Sequence, residues 1–271
     1  MLPPDQLDLI TSELRLAQAQ RSHLQPITAR VPGFGIDDAY AVAARVHAQH
    51  IAVDGQARGR KIGFTNANIW PEYGVNQPIW GWVYAHTLVQ AEGGTASLPA
   101  DRFVEPKIEP EIAFGLAATP AKGASVQDIA QCIEWVAPAF EVVQSHYPGW
   151  MFQVADTIAD GGLHGALVVG ERVPLSSLGK DPAGALASLV VMLSRDGKDV
   201  EKGSGANVLG GPIHALSHFV EMVAGRTEVD LRPGEVVTTG TVTAAYAIER
   251  GQAWTMTPRH AALKPLTLRF T

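Results

Sequence analysis

The sequence is poor in cysteine and lacks long hydrophobic runs, and both absences restrict the class of protein. Cys132 is the single cysteine among 271 residues, so an internal disulfide framework is excluded and a reducing compartment is expected. No apolar run approaches the ~20 residues that cross a bilayer. The first six residues also lack the basic and apolar regions of a secretory signal. We therefore predict a soluble, cytoplasmic protein with no membrane partner.

Positive charge is also scarce. The chain has 21 lysine and arginine residues against 27 aspartate and glutamate residues, which gives a net charge of −6 and a pI of about 5.8. An acidic chain without a basic cluster repels a phosphate backbone, so no nucleic-acid partner is expected. Hydrophobic residues make up 46% of the sequence, which is enough to build the core of an ordinary globular protein.

Helical patterns are concentrated near the start of the chain. Residues 4–20 have the spacing of an amphipathic helix, and a second helix is predicted after the acidic pair Asp37 and Asp38. Residues 213–223 form a later, isolated helical pattern. Helices therefore come first, and few of them interrupt the rest of the chain.

From about residue 58 the sequence changes to short β-like runs separated by glycine and proline. One of these boundaries, Asp196 followed by Gly197, is typical of a tight β-hairpin turn. Helices followed by strands are typical of an α+β fold rather than of repeated βαβ units. We predict an N-terminal helical segment, residues 1–57, and a β-rich catalytic domain, residues 58–271.

Three glutamates in apolar surroundings are the main functional signal. Glu109 and Glu111 alternate along one predicted strand and therefore share a face, and Glu141 lies within another apolar run. Buried acids need compensating charge, and carboxylate oxygens are the ligands that Mg²⁺ and Mn²⁺ prefer. Glu105 and Lys107 share the same strand face, so a charged outer face of an edge strand is the alternative.

Two further residues are candidates for proton transfer. Lys61 stands between glycines and an apolar pair, where a lysine can act as a base or hold an anionic substrate. His164 follows two glycines and precedes an apolar strand, which suits either a base near neutral pH or a structural histidine. Both alternatives remain open from the residues alone.

Taken in order, seven segments resemble the hydratase/decarboxylase branch of the fumarylacetoacetase-like superfamily, the branch of 2-keto-4-pentenoate hydratase. The similarity runs from about residue 25 to the end of the chain. The matching segments are Lys61-Ile-Gly-Phe-Thr (K-I-G-x-T), Gly74-Val-Asn-Gln-Pro (G-V-x-x-P), Glu109-Pro-Glu-Ile-Ala-Phe (E-x-E-I-A-F), Phe140-Glu-Val-Val (F-E-V-V), Asp156-Thr-Ile-Ala-Asp (D-T-x-A-D), the glycine-rich segment from Gly205 to Gly211, and Gly234-Glu-Val-Val-Thr-Thr-Gly-Thr (G-E-x-x-x-[ST]-G-[ST]).

The resemblance implies a mixed β-sheet roll of the fumarylacetoacetase C-terminal type in a homo-oligomer. It also implies that Glu109, Glu111 and Glu141 hold Mg²⁺ or Mn²⁺. A small 2-oxo acid substrate would then chelate the metal through its carboxylate and keto oxygens, and the cation would stabilise an enolate.

The resemblance also assigns roles to five other residues. Lys61 would move a proton beside the enolate. Asp156, in the D-T-x-A-D segment, is expected to be a further catalytic residue. Gly63, Gln77 and Thr241 are expected to bind substrate, with the Thr241 hydroxyl donating to the substrate carboxylate.

Two positions depart from the pattern of the hydratases. Ile79 stands where those enzymes typically carry an acid, so a group that would assist water addition is missing. Gly161 replaces an asparagine, and His164 follows close behind. Decarboxylation tolerates the loss of the acid, whereas a histidine could activate water for carbon–carbon hydrolysis.

We therefore predict a metal-dependent lyase that hydrates or decarboxylates an enolisable 2-oxo acid from aromatic-compound catabolism. The alternative is a hydrolase of an acylpyruvate, such as maleylpyruvate or fumarylpyruvate, that uses His164. A third possibility is a catalytically silent protein that binds small 2-oxo acids.

Overall fold

Three helices open the chain and pack through apolar faces. The computed structural model describes residues 1–54, 56–73, 75–223 and 231–271. The first helices are α1 (Pro4–Gln20), α2 (Ile27–Arg30) and α3 (Ile36–Asp54). The buried apolar residues of α1 recur at helical spacing: Leu7, Ile10, Leu14 and Ala17. Both predicted N-terminal helices are confirmed, although the acidic pair lies inside the first turn of α3 rather than before it.

The remaining helices are short connections, apart from the last. They are α4 (Trp70–Tyr73), α5 (Val126–Gln131), α6 (Val154–Ala159), α7 (Pro182–Ala187) and α8 (Pro212–Val223). The helix predicted over residues 213–223 is therefore confirmed. None of the described helices combines the length and the hydropathy needed to cross a membrane.

Strands outnumber helices in the described chain after α3. In chain order these are β1 (Ala57–Gly63), β2 (Ile79–Tyr84), β3 (Leu88–Gln90), β4 (Thr95–Leu98), β5 (Lys107–Leu116), β6 (Ile133–Val143), β7 (His164–Val169), β8 (Val173–Pro174), β9 (Val190–Arg195), β10 (Lys198–Ser204), β11 (Val236–Thr238), β12 (Tyr246–Ala247), β13 (Ala253–Pro258) and β14 (Leu266–Phe270).

Within the described ranges these strands form two mixed sheets. The larger has the order β2-β1-β11-β5-β6-β7-β3, with β12 beside β5 and β8 beside β6. Its pairs are antiparallel except β1 with β11 and β3 with β7. The smaller sheet has the order β10-β9-β13-β14-β4. Its β9–β10 hairpin turns at Asp196 and Gly197, both with positive φ, as the sequence predicts.

The long strands β5 and β6 lie at the centre of the larger sheet and carry much of the core. The N-terminal helices add a second apolar cluster by packing on α6 and on Ile79 at the start of β2. The α+β prediction is confirmed, whereas the division at residue 57 stays a prediction. One consequence for the site is that Ile79 is fixed from behind by helices.

Candidate metal centre

The three predicted metal ligands lie where β5 pairs with β6. The antiparallel register places Glu109 directly opposite Glu141, and Glu111 follows two residues later on the same strand face. Their carboxylate oxygens lie within 4.8 Å of one another. Glu111 and Glu141 are fully buried, so this face is not the solvated outer face of an edge strand.

Glu111 is anchored by the segment after β11. Its Oε2 accepts hydrogen bonds from the Gly240 amide, at 2.8 Å, and from the Thr238 hydroxyl. Gly240 has a φ of +96°, and a Cβ there would lie 1.9 Å from Thr65 Oγ1, so this approach requires glycine. Glu111 Oε1 is buried without a hydrogen-bond partner among the described residues. A buried carboxylate oxygen in this state is suited to ligate a cation.

Glu141 is held between a lysine and a histidine. Lys61 Nζ lies 3.1 Å from Glu141 Oε2 and donates a hydrogen bond to the Gly162 carbonyl at 2.9 Å. His164 Nδ1 lies 2.8 Å from Glu141 Oε1, and its Nε2 lies 2.8 Å from Thr87 Oγ1. The lysine contact is an ion pair outside hydrogen-bond geometry. Glu141 Oε2 is therefore a second buried oxygen that accepts no hydrogen bond within the described part of the chain.

Charge in the cluster is unbalanced. Burial and the charge of Glu141 outweigh Lys61 and raise the pKa of Glu109 to about 7. Burial, and then its two acidic neighbours, raise the pKa of Glu111 well above its ordinary value. Burial also acts to raise the pKa of Glu141, but Lys61 and His164 outweigh it and lower that pKa. Three carboxylates and one lysine therefore leave room for a divalent cation.

The Lys61 side chain is almost completely buried. Burial alone would lower its pKa, but the three nearby carboxylates outweigh that effect and raise it. In the arrangement described here the ammonium form is thus favoured. Lys61 can hold a proton beside the three carboxylates.

A cavity of about 560 Å³ borders this cluster at Glu109, whereas Glu111 and Glu141 do not line it. Lys61 and Glu109 line it, together with Gly63 and Thr241, which the sequence predicts to bind substrate. The Thr241 hydroxyl donates to the Thr243 carbonyl at 3.0 Å. Four of the predicted site residues therefore surround one space.

One wall of the cavity is apolar. Ile79 lies opposite Gly63 in the β1–β2 pair, and Trp150 and Phe152 line the same space. The Trp150 indole N–H donates to the Glu105 carbonyl at 2.9 Å, which fixes the orientation of the ring.

Other predicted residues lie outside the cavity. Asp156 is buried in α6 and accepts hydrogen bonds from the Thr28 amide at 3.0 Å and the Thr28 hydroxyl at 2.7 Å. Gln77 is exposed in the bend before β2. Gly74, from the same motif, lies outside the described residues. His164 contacts Glu141 but does not line the cavity.

The structure adds three partners that the sequence analysis did not single out. The Gly162 carbonyl accepts from Lys61, the Thr238 hydroxyl donates to Glu111, and Thr87 contacts His164. A signal existed for Thr238, because it lies inside the matched segment that ends at Thr241. Thr87 lies far from any motif and only the fold brings it to the site.

The fold and the carboxylate cluster define a metal-binding class of enzyme, and comparison with known proteins places the chain within it. The fumarylacetoacetate (FAA) hydrolase C-terminal family matches residues 55–263. The protein belongs to this family.

Its relatives fall in the hydratase/decarboxylase branch. It is 28% identical to 2-keto-4-pentenoate hydratase of Paraburkholderia xenovorans over 93% of this chain and 91% of the relative. It is 33% identical to 4-oxalocrotonate decarboxylase of a Pseudomonas species over 71% of each chain. The 4-oxalocrotonate decarboxylase of Pseudomonas putida G7, solved with magnesium and adipate, superposes with a TM-score of 0.91 at 25% identity, covering 100% of this chain and 99% of the other. The prediction of a lyase, a hydratase or decarboxylase, is confirmed over the hydrolase alternative.

Proposed function

We propose that the protein is a divalent-metal-dependent decarboxylase of an unsaturated 2-oxo dicarboxylate, with 2-oxohex-3-enedioate as the first substrate to test. The observation that carries this proposal is Ile79, an apolar side chain in the cavity wall opposite Gly63. The hydratases that the chain resembles typically place an acid at this position. Decarboxylation needs an electron sink at the keto end and no acid that delivers water. The solved neighbour with adipate, a dicarboxylate, supports this choice.

Glu109, Glu111 and Glu141 would hold the cation. The two buried oxygens without hydrogen bonds and the surplus of negative charge both fit a hard divalent ion. Such an ion supplies positive charge that polarises the 2-keto group and stabilises the enolate that decarboxylation generates. Magnesium in the solved neighbour supports Mg²⁺ as the natural ion, with Mn²⁺ as the alternative.

The proposed reaction moves one electron pair along the substrate. The C5–C6 bond breaks and C6 leaves as CO₂. The electron pair of that bond forms C4=C5, the C3=C4 π pair becomes C2=C3, and the C2=O π pair moves onto the C2 oxygen. The Lys61 ammonium donates the proton that converts this enolate to 2-hydroxypenta-2,4-dienoate, and solvent restores the proton to Lys61. The contact between Lys61 and the Gly162 carbonyl keeps the ammonium in place for this step.

The apolar wall would favour loss of the distal carboxylate. Ile79, Trp150 and Phe152 offer no hydrogen bonds that match those of water, so a carboxylate pressed against them is poorly solvated. Neutral CO₂ does not have this cost. The wall therefore favours the transition state, in which charge has moved toward the keto end.

The other predicted residues receive supporting roles in this proposal. Thr241 lies in the cavity and would contact the substrate carboxylate. His164 would act as a positioning residue, because it touches Glu141 rather than the cavity and can fix the orientation of that ligand. We also propose a homo-oligomer, which the family resemblance implies and sedimentation velocity would test.

A hydratase acting on 2-hydroxypenta-2,4-dienoate is the second candidate. The relatives named as hydratases favour it, and so does one observation in the cavity. Glu201 lines the same space and accepts hydrogen bonds from the Tyr246 hydroxyl at 2.7 Å and the Ala244 amide at 3.0 Å. This fixed carboxylate would take the place of the acid that is absent at position 79.

Steady-state kinetics of the Mg²⁺-loaded protein on both substrates would separate the two reactions. We expect CO₂ release from 2-oxohex-3-enedioate with a kcat/KM at least about tenfold above that for hydration of 2-hydroxypenta-2,4-dienoate. Removal of Mg²⁺ by a chelator should abolish both CO₂ release and hydration. Faster hydration than decarboxylation would make the second candidate correct, and turnover of neither substrate would refute the proposal.

A matched pair of variants on β6 controls for nonspecific effects. Glu141→Gln should abolish Mg²⁺ binding and turnover, because it removes a metal ligand. Glu134→Gln changes an exposed glutamate on the same strand and should leave both intact. Equal effects in the two variants would argue against the assigned metal centre.

A further inference from the structure

A second cavity, of about 340 Å³, lies between the N-terminal helices and the larger sheet. α1 contributes Arg15 and Gln18, and the start of β7 contributes His164. Leu163 lines both this space and the substrate cavity, so the two adjoin at this residue. The volume is at the lower end of the range for small-ligand sites, about 300–1,000 Å³. It suits a molecule with one ring.

Positive charge is in excess around this second cavity. Arg15 Nη1 lies 2.7 Å from His50 Nε2. Arg102 Nη2 donates a hydrogen bond to the His86 carbonyl at 2.8 Å. Neither arginine has a carboxylate partner within the part of the chain that the structure describes. Two arginines near one concave surface favour an anion.

The only carboxylate among the described lining residues is already occupied. Asp160 accepts from Gln18 Nε2 at 3.0 Å, and its other oxygen lies 2.7 Å from His146 Nδ1. Burial would lower the pKa of His146, but Asp160, 2.7 Å away, outweighs that effect and raises the pKa. Asp160 therefore does not cancel the charge of Arg15 and Arg102.

Aromatic rings form another wall of the same cavity. The ring centroids of Tyr84 and His50 are 4.5 Å apart, and those of Tyr84 and His86 are 5.7 Å apart. Trp82 is buried beside them and also lines the space. Trp82 also stacks on His47, with ring centroids 4.2 Å apart. Apolar contact with these rings, rather than stacking on their faces, therefore suits a small ring that carries an acid group.

We propose that this cavity is a binding site for a small aromatic carboxylate, separate from the metal centre. Arg15 and Arg102 pair with the carboxylate, and Trp82 and Tyr84 contact the ring. The site does not depend on the reaction at the metal centre, so its test does not use turnover. Benzoate is the probe, and benzamide is its uncharged counterpart of the same shape.

Isothermal titration calorimetry with metal-free protein in EDTA tests the proposal. The titration is made above about pH 8, where Glu109, with a pKa of about 7, and Glu141, with a lowered pKa, are both ionised. Their charge disfavours an anion in the metal-free substrate cavity, so benzoate binding under these conditions reports the second cavity. We expect benzoate to bind at least about tenfold more tightly than benzamide. The Arg15→Gln/Arg102→Gln double variant should lose this preference. Arg45, a half-buried arginine of α3 that pairs with Asp8, provides the matched control Arg45→Gln.

A second variant tests the location without changing charge. Ala19 lies on the exposed side of α1 and lines the cavity, so Ala19→Leu should narrow it and weaken benzoate binding while the fold stays intact. Thermal melts establish that each variant is folded. Equal affinity for benzoate and benzamide would overturn the proposal. Binding that requires Mg²⁺, or that survives in both the double variant and Ala19→Leu, would overturn it as well.

Discussion

At the scale of single residues, Lys61 links the charge of the site to its proposed chemistry. Lys61→Met removes the proton donor, so kcat should fall about 10²–10⁴-fold. The same change removes a positive charge that competes with the cation, so Mg²⁺ affinity should rise by a few fold. Stopped assays for CO₂ and calorimetric titration with Mg²⁺ would measure the two effects.

The opposite signs distinguish this role from a structural one. A merely destabilised site would lose turnover and metal affinity together. Lys198→Met, at an exposed position of β10, should change neither quantity. Weaker Mg²⁺ binding in Lys61→Met would contradict the assigned electrostatics.

Glu109 makes the stability of the metal-free protein depend on pH. Its folded pKa of about 7 exceeds the ordinary value of 4.5, so the folded protein keeps a proton that the unfolded chain releases. The stabilisation is present below the unfolded pKa and is lost as the pH rises through 7. Metal-free protein should therefore melt at a lower temperature near about pH 8 than near about pH 6.

Glu109→Gln should reduce that difference, since the amide does not ionise. Mg²⁺ at the higher pH should raise the melting temperature of the wild type and not of the variant, because binding to the folded state alone stabilises it. Thermal scans at both pH values, with EDTA and with Mg²⁺, would show this. An identical pH dependence in wild type and variant would contradict the raised pKa of Glu109.

At the scale of elements, the loop between α6 and β7 positions the lysine. Gly162 has a φ of +71°, and a Cβ there would lie 2.9 Å from Lys61 Cδ, whereas Gly161 has a φ of +64° with no atom near its Cβ position. Gly162→Ala should lower kcat at least about tenfold with Mg²⁺ binding retained. Gly161→Ala carries the same backbone strain and serves as the control. Equal losses in the two variants would mean that strain alone matters.

The sequence predicted part of this arrangement. Strand alternation was sufficient to place Glu109 and Glu111 on one face. It did not place Glu141 opposite Glu109, because pairing register depends on contacts between distant segments. The exposure of Gln77 and the position of Asp156 beside Thr28 were also inaccessible, since a motif match does not say which way a side chain points.

At the scale of the whole molecule, Asp156 joins the N-terminal helices to α6, which lies between β6 and β7 in the chain. Its carboxylate accepts from both the amide and the hydroxyl of Thr28, and from the Gln153 amide at 2.9 Å. Asp156→Asn should lower stability by about 1–3 kcal/mol, because charge-assisted hydrogen bonds at a buried position are lost. Thermal melts would show the loss, and kcat of the folded variant should stay within about threefold of wild type.

Thr28→Val is the companion variant, because it removes the hydroxyl donor and leaves Asp156 charged. It should reproduce part of the stability loss and leave kcat unchanged. A large fall in kcat at unchanged melting temperature in Asp156→Asn would favour the catalytic role that the motif implies.

The pairing of β5 with β6 also restricts how such a protein can diversify. Substitutions at Ile79, Trp150 or Phe152 change the shape of the apolar wall of the substrate cavity and leave the three carboxylates in place. A one-residue insertion in β5 ahead of Glu109 would turn the side chains of Glu109 and Glu111 to the opposite face of the sheet. That single change would abolish the proposed metal site. Point mutations can therefore change the substrate that this fold accepts. Insertions of one residue in β5 before Glu109 are not tolerated.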